Sequence, residues 1–219
     1  MSKARKESKF EIIKTVLIAG CFALAFRSLL FEPFNIPSGS MRPTLLVGDY
    51  LFVSKFSYGY SRFSFPLAFI PFDGRIFASE PERGDVVVFR QPTDDDVAFI
   101  KRVIGLPGDR VQLRNGILYI NDSMVMRKSV GQARSKGVDY NTTFQVFEET
   151  LPNGKSYLIQ ERSDTDVFDN TVVYRVPIGH YFMMGDNRDN SRDSRTTAVG
   201  MVPIQNLVGP ANLLFFSHN

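Results

Sequence analysis

The sequence predicts a mainly β protein in which an N-terminal transmembrane helix leads into a β-rich core carrying an inserted β subdomain. Three observations point there: a basic start followed by one apolar run, short segments rich in Val, Ile and Phe between turn signals, and a polar shift in the middle of the chain.

Residues 1–14 hold Lys3, Arg5, Lys6, Lys9 and Lys14 against Glu7 and Glu11, and the apolar run from Val16 to Phe26 is extended by Leu29, Leu30 and Phe31. From Ile12 to Phe31 the stretch reaches the ~20 residues that a helix needs to cross the hydrocarbon. Lys14 and Arg27 lie near its ends, where long side chains can reach the headgroups. The expected division is a basic cytoplasmic tail over 1–11, an anchor over 12–31 and a domain over 32–219 on the outer side, because basic flanks stay inside. Ala23-Leu24-Ala25 also fits a signal-peptide cleavage site, Ile18-Ala19-Gly20-Cys21 a lipoprotein site, and the uninterrupted core of the run is short enough for a buried helix. Apolar residues continue past both cleavage patterns, which favours an uncleaved anchor.

Past Phe34 come runs such as Tyr50-Leu51-Phe52-Val53 and Asp85-Val86-Val87-Val88-Phe89, separated by Gly48-Asp49, Arg83-Gly84-Asp85, Pro107-Gly108-Asp109, Asn115-Gly116 and Pro152-Asn153-Gly154. Strands of this length and spacing predict a mostly antiparallel β domain. From about 112 to 175 the chain turns more polar, which reads as the inserted subdomain. Between Phe56 and Phe77 the aromatics Phe56, Tyr58, Tyr60, Phe63, Phe65, Phe69, Phe72 and Phe77 gather around Pro66, Pro71 and Gly74. They fit either core aromatics on a folded-over loop or a surface dipping into the membrane interface, where such rings are favoured. Asn141-Thr142-Thr143 matches a glycosylation acceptor, a pattern short enough to arise by chance.

A net charge of +3 spread along 219 residues offers no basic stripe, so no nucleic-acid partner is expected. The single cysteine, Cys21, excludes a disulfide framework, and two histidines, His180 and His218, argue against a protein-built zinc site. Neither a metal nor a cofactor is expected.

Chemistry has three places to sit. Pro37-Ser38-Gly39-Ser40-Met41-Arg42-Pro43-Thr44-Leu45 puts two hydroxyls around a glycine between prolines; a serine there becomes a nucleophile only with a base beside it and donors for the oxyanion. Serines in a loop are otherwise ordinary turn residues. In Val97-Ala98-Phe99-Ile100-Lys101-Arg102-Val103-Ile104, strand alternation puts Lys101 and Arg102 on opposite, equally apolar faces. At least one cation should therefore be desolvated, and only lysine can be deprotonated in that way. The bland alternative is a lysine whose stem covers apolar surface while its head reaches water. The third place is Gly185-Asp186-Asn187-Arg188-Asp189-Asn190-Ser191-Arg192-Asp193-Ser194-Arg195, whose charges can buttress a site or simply pair on a solvated loop.

In this order behind an anchor, the three segments resemble the type I bacterial signal peptidases, or leader peptidases. The resemblance covers the anchor and most of the core and owes little to 112–175. It implies that Ser40 is the nucleophile, that Ser38 and the Ser40 N–H hold the oxyanion, and that Lys101 is the general base. It implies further that Ser191 positions the lysine, that Asp193 and Arg195 hold the loop, and that Phe34, Ile36, Leu45, Phe99 and Ile100 lie near shallow pockets for small residues in an Ala-x-Ala pattern. Arg42 departs from relatives with an apolar residue there. The implied partners are signal peptides of secretory preproteins, the lipid bilayer and the protein-export translocon, and the implied place is the bacterial cytoplasmic (inner) membrane, single-pass, with the catalytic domain on the periplasmic side. The rivals are a serine-lysine protease with a narrower task or of the self-cleaving repressor type, a silent membrane-tethered β scaffold, and a Ser40–His180 pair.

Overall fold

The computed structural model describes residues 2–65, 68, 72–134 and 142–217. Pro66, Phe69 and Pro71 of the aromatic stretch, Asn141 of the glycosylation pattern and His218 lie outside the described residues.

Helix α1 (Ser2–Leu29) contains a stretch, Lys9–Leu29, long and apolar enough to cross a membrane, and the rest of the protein covers almost none of it. That makes it compatible with a single-pass anchor. It stops short of the expected boundary at Phe31. The Leu30 N–H closes the last turn on the Phe26 carbonyl, the Leu30 carbonyl accepts from the Lys55 N–H at 2.9 Å, and Phe31 opens strand β1 (Phe31–Asn35) opposite Ser54. An apolar run cannot distinguish the last turn of a helix from the first residues of a strand, and here the sheet claims Phe31.

Charge ties this junction together. Glu32 on β1 pairs with Lys55 at 2.6 Å and with Arg27 of α1 at 2.7 Å. Lys55 is buried and also donates to the Ser64 carbonyl at 2.7 Å, and the Tyr60 hydroxyl donates to the Leu29 carbonyl at 2.9 Å. A buried pair of this kind costs much to break, because either partner alone would be an uncompensated charge.

The main sheet is antiparallel throughout. Its order is β1, β2 (Tyr50–Ser54), β14 (Leu207–Phe216), β3 (Val86–Gln91), β4 (Asp94–Gly105), β12 (His180–Met184) and β13 (Val202–Pro203). The strands β2, β3 and β4 are the runs that the β-branched and aromatic residues predict. One face of the sheet packs Ile36, Met41, Leu51, Val53, Val88, Ile100 and Val208; the other packs Val87, Phe89, Val103, Tyr181 and Leu207. Tyr58 and Phe63 of the aromatic stretch join these cores as folded-over core aromatics, whereas Phe56 and Phe77 stay exposed.

The inserted part begins at Arg110, slightly ahead of the expected 112. It forms a four-stranded sheet, ordered β11 (Tyr174–Arg175), β5 (Arg110–Arg114), β6 (Ile117–Ile120) and β7 (Ser123–Met124), and a three-stranded sheet, ordered β10 (Ser156–Glu161), β9 (Thr143–Thr150) and β8 (Met126–Arg134). Asn115 and Gly116 both have positive φ, 49° and 72°, the requirement of a tight hairpin turn between β5 and β6. Val111, Leu113, Leu118, Ile120 and Ile159 share one core with Ile104, Phe182 and Met184 of the main sheet, so the insertion is packed into the body rather than tethered to it. Strand β8 ends its sheet, is largely exposed, and breaks register between Ser129 and Gly131.

Glu161, at the end of β10, is fully buried; its Oε2 accepts from Arg127 at 2.7 Å while Oε1 has no partner. Burial pushes its carboxyl up to about 7, against the attraction of Arg188 and Arg127. A carboxyl whose pKa is higher folded than unfolded stabilises the fold while protonated, and that contribution declines as pH rises from about 4.5 to about 7. In thermal unfolding of the detergent-solubilised protein, Glu161→Gln should therefore match the parent near pH 5 and unfold at a higher temperature above pH 7.

Candidate active site

The loop after β1 runs from Ile36 to Asp49 and is pinned at its base. The Ile36 N–H donates to the Asp49 carbonyl at 2.8 Å, and the Gly48 N–H donates to the Ile36 carbonyl at 2.9 Å. Beyond Pro37, Ser38 is extended and Gly39–Met41 make one 3-10 turn, which carries the Ser40 side chain inward to 7 % exposure. Two bonds from Asn187 hold this turn by its main chain: its N–H reaches the Ser40 carbonyl at 3.0 Å, and its Nδ2 reaches the Gly39 carbonyl at 2.9 Å.

Lys101 comes from the middle of the sheet, on β4 between β3 and β12, opposite Val87. Its Nζ donates to Ser40 Oγ at 2.7 Å and to the Ile100 carbonyl at 2.8 Å, and it lies 5.2 Å from the centre of the Phe99 ring. Lys101 is 2 % exposed and Arg102 6 %, so both adjacent cations are desolvated rather than one. Their solutions differ. Arg102 grips Asp186 with two bonds, Nε to Oδ1 at 2.8 Å and Nη2 to Oδ2 at 2.6 Å, and donates to the Gly84 carbonyl at 2.7 Å. Lys101 has no ion pair among the described residues; burial brings its ammonium down to about 8, against the opposing pull of Asp193 and Asp186. A lysine in that range is partly neutral near physiological pH and can accept a proton from a hydroxyl in contact with it.

The polar loop after β12 supplies the frame. Asp193 and Arg195 form a buried pair through two bonds of 2.9 Å, and Asp193 also accepts from the Gly185 N–H at 3.0 Å. Burial would raise the Asp193 carboxyl, but Arg195 outweighs it and holds the group below the usual carboxylate range. Gly185 is needed for closeness: a Cβ there would stand 2.2 Å from Ser191 Oγ and 2.5 Å from the Ser40 carbonyl oxygen. Thr44 donates to Asp186 as well, joining the serine loop to the same carboxylate.

The structure thus brings Ser40, Lys101, Ser38, Ser191, Asp193 and Arg195 into one region, with differences of detail. Ser38 is exposed, and its Oγ lies 3.4 Å from Ser40 Oγ, long for a bond between hydroxyls. The hydroxyl oxygen of Ser191 is buried close to Gly185 and helps Arg195 hold the Asp193 carboxyl down, so Ser191 acts on the carboxylate of the loop, and no hydrogen bond joins it to Lys101. Of the five expected pocket residues, Ile36, Leu45 and Ile100 share a core cluster with Phe34 against it, whereas Phe99 belongs to the opposite face and stacks on Phe89. His180 does not approach the serine: it opens β12 opposite Pro203, and its Nδ1 lies 3.0 Å from the Ile178 carbonyl. Asn187 and Asp186 were visible only as parts of a polar loop. Arg102 was the missed signal, since a buried arginine requires a buried acid, and the adjacent loop is rich in them.

The family model described as signal peptidase, peptidase S26, matches residues 9–216. The signal peptidase I of Rickettsia typhi is 46 % identical over 225 residues, covering 99 % of this chain and 83 % of that protein. Those of Rickettsia conorii and Rickettsia akari are each 48 % identical over 206 residues, covering 90 % of this chain and 76 % of theirs. With a match along nearly the whole chain and relatives of this closeness, the protein belongs to the signal peptidase family, peptidase S26, and is a hydrolase of peptide bonds.

Proposed function

We propose that this enzyme removes signal peptides from exported preproteins through an acyl-enzyme formed on Ser40, with neutral Lys101 as the general base. The observation that carries the reading is the 2.7 Å contact between Lys101 Nζ and Ser40 Oγ in a dry setting. Lys101 takes the Ser40 proton as Oγ attacks the scissile carbonyl, returns it to the departing amine, then takes a proton from the water that attacks the acyl group and passes it to Ser40 Oγ as the acyl bond breaks. The Ser40 N–H, in the first turn of a short helix where amides have no intrahelical partner, and the Ser38 hydroxyl face the developing oxyanion.

Half-buried Phe99 offers apolar surface beside the dyad, its ring 5.2 Å from Lys101 Nζ, in keeping with small residues in an Ala-x-Ala pattern. The basic residues in the first turns of α1 favour a cytoplasmic N-terminus, with the catalytic body on the periplasmic side of the bacterial inner membrane, where the export translocon delivers preproteins. The body has an apolar face to rest on the bilayer. Phe31 contacts Phe26, Phe52 and Phe56, Phe52 stacks on Phe215 at 4.3 Å, and Leu213, Leu214, Phe215 and Phe216 of β14 are all about half exposed. This face lies at the end of α1 and involves β14, which the aromatic count between Phe56 and Phe77 did not include.

Cleavage of an Ala-x-Ala preprotein by the detergent-solubilised enzyme tests the reading. Ser40→Ala and Lys101→Ala should fall to background, whereas Ser38→Ala should keep roughly 10⁻² to 10⁻³ of parental turnover, the usual loss for one oxyanion donor. Lys101→Ala at parental rate would remove the base assignment. The pH profile is a separate check. A base must be deprotonated to act, so turnover at saturating substrate should climb with pH and level off above about 8; a flat profile from pH 6 to 9 would contradict it.

A further inference from the structure

We propose that the inserted subdomain acts on catalysis through Glu149, a positioning residue that holds the Ser40 turn and the Lys101 strand in mutual register. This rests on the Ser40–Lys101 reading. Glu149 lies on β9, far in sequence from either catalytic residue, and is fully buried. It binds both ends of the Arg188 guanidinium, Nη1 to Oε1 at 2.9 Å and Nη2 to Oε2, and its Oε2 also accepts from the Tyr157 hydroxyl at 2.7 Å. Arg188 is itself 1 % exposed and directly follows Asn187, the residue that holds the Gly39 and Ser40 carbonyls. Its carbonyl accepts from Arg195 at 2.7 Å, which fixes the same segment from the other side.

Tyr157 on β10 extends the connection to the base. Its ring lies under the Arg102 guanidinium at 4.0 Å, and Arg102 is the neighbour of Lys101 and the partner of Asp186. Strand β10 also meets the loop main chain directly, the Gln160 N–H donating to the Asp186 carbonyl at 2.9 Å. The insertion therefore touches the nucleophile through Arg188 and Asn187 and the base through Tyr157 and Arg102. None of these groups reaches Ser40 Oγ or Lys101 Nζ, so their influence is on geometry alone. A displacement of about 1 Å at reacting atoms can cost ~10²-fold in rate.

The test must separate positioning from stability, because Glu149→Gln leaves a buried, unpaired Arg188 that destabilises the fold. A double variant, Glu149→Met with Arg188→Met, removes both charges and keeps an apolar filling, a replacement that buried pairs tolerate. Its unfolding temperature should drop by only a few degrees, the cost of leaving the Tyr157 hydroxyl unpaired, while kcat falls about 10- to 100-fold and KM for an Ala-x-Ala peptide stays within about twofold, since the Phe34 and Ile36 region is untouched. Parental kcat in the folded double variant, or a loss confined to KM, would overturn the proposal and leave the cluster a purely structural one. If the double variant does not fold, Tyr157→Phe takes its place, losing only the hydroxyl: a severalfold drop in kcat at unchanged KM and unfolding temperature supports the proposal, and parental kcat overturns it. Lys101→Ala runs alongside, and its retention of activity would instead refute the dyad on which the proposal stands.

Discussion

Placing two cations next to each other on a strand covered on both faces is the constraint from which the rest of the site follows. An unpaired buried charge is expensive, so each must be neutralised, paired or discharged. Arg102 cannot lose its proton and is paired with Asp186. Lys101 can, and as the proposed base it serves only while no carboxylate binds it, because an acid in contact would favour the charged form by about 1–3 pKa units. The nearby acids are accordingly engaged elsewhere, Asp186 by Arg102 and Thr44, Asp193 by Arg195 and the Gly185 N–H. The density of ion pairs in the loop after β12 thus keeps acids away from the lysine as much as it stiffens the loop.

Ser40 is treated in a complementary way. Its carbonyl and that of Gly39 are held by Asn187, its side chain meets Lys101, and Gly185 lets the two loops approach closely. In the proposed mechanism a serine gripped by its main chain can exchange protons without losing position, which is what preorganisation requires of a covalent catalyst.

Much of this could be read in the residues. Alternation along 97–104 exposed the problem of Lys101 and Arg102, and turn signals with β-branched runs located β2, β3 and the hairpin between β5 and β6. Composition could not show which acid meets which base, because pairs such as Glu149 with Arg188 and Arg102 with Asp186 join segments distant in the chain and depend on the register of three sheets. The end of α1 was misplaced for a similar reason, since Leu30 and Phe31 satisfy a membrane helix and a sheet edge equally well until Lys55 and Ser54 are seen opposite them. Ser191 shows the converse: its role was inferred from likeness, and its hydroxyl lies beside Gly185 and Asp193 with no bond to Lys101.

The exposed strand β8 bears on the kind of molecule this enzyme meets. The proposed substrates are preproteins, and an open row of backbone donors and acceptors would pair with any extended stretch of them by adding a strand. On β8 the break in register at Gly131, whose φ is 139°, and the charges of Lys128 and Arg134 spoil that row. The edge therefore makes a poor template for an added strand, so an extended chain gains little purchase on the flank of the protein.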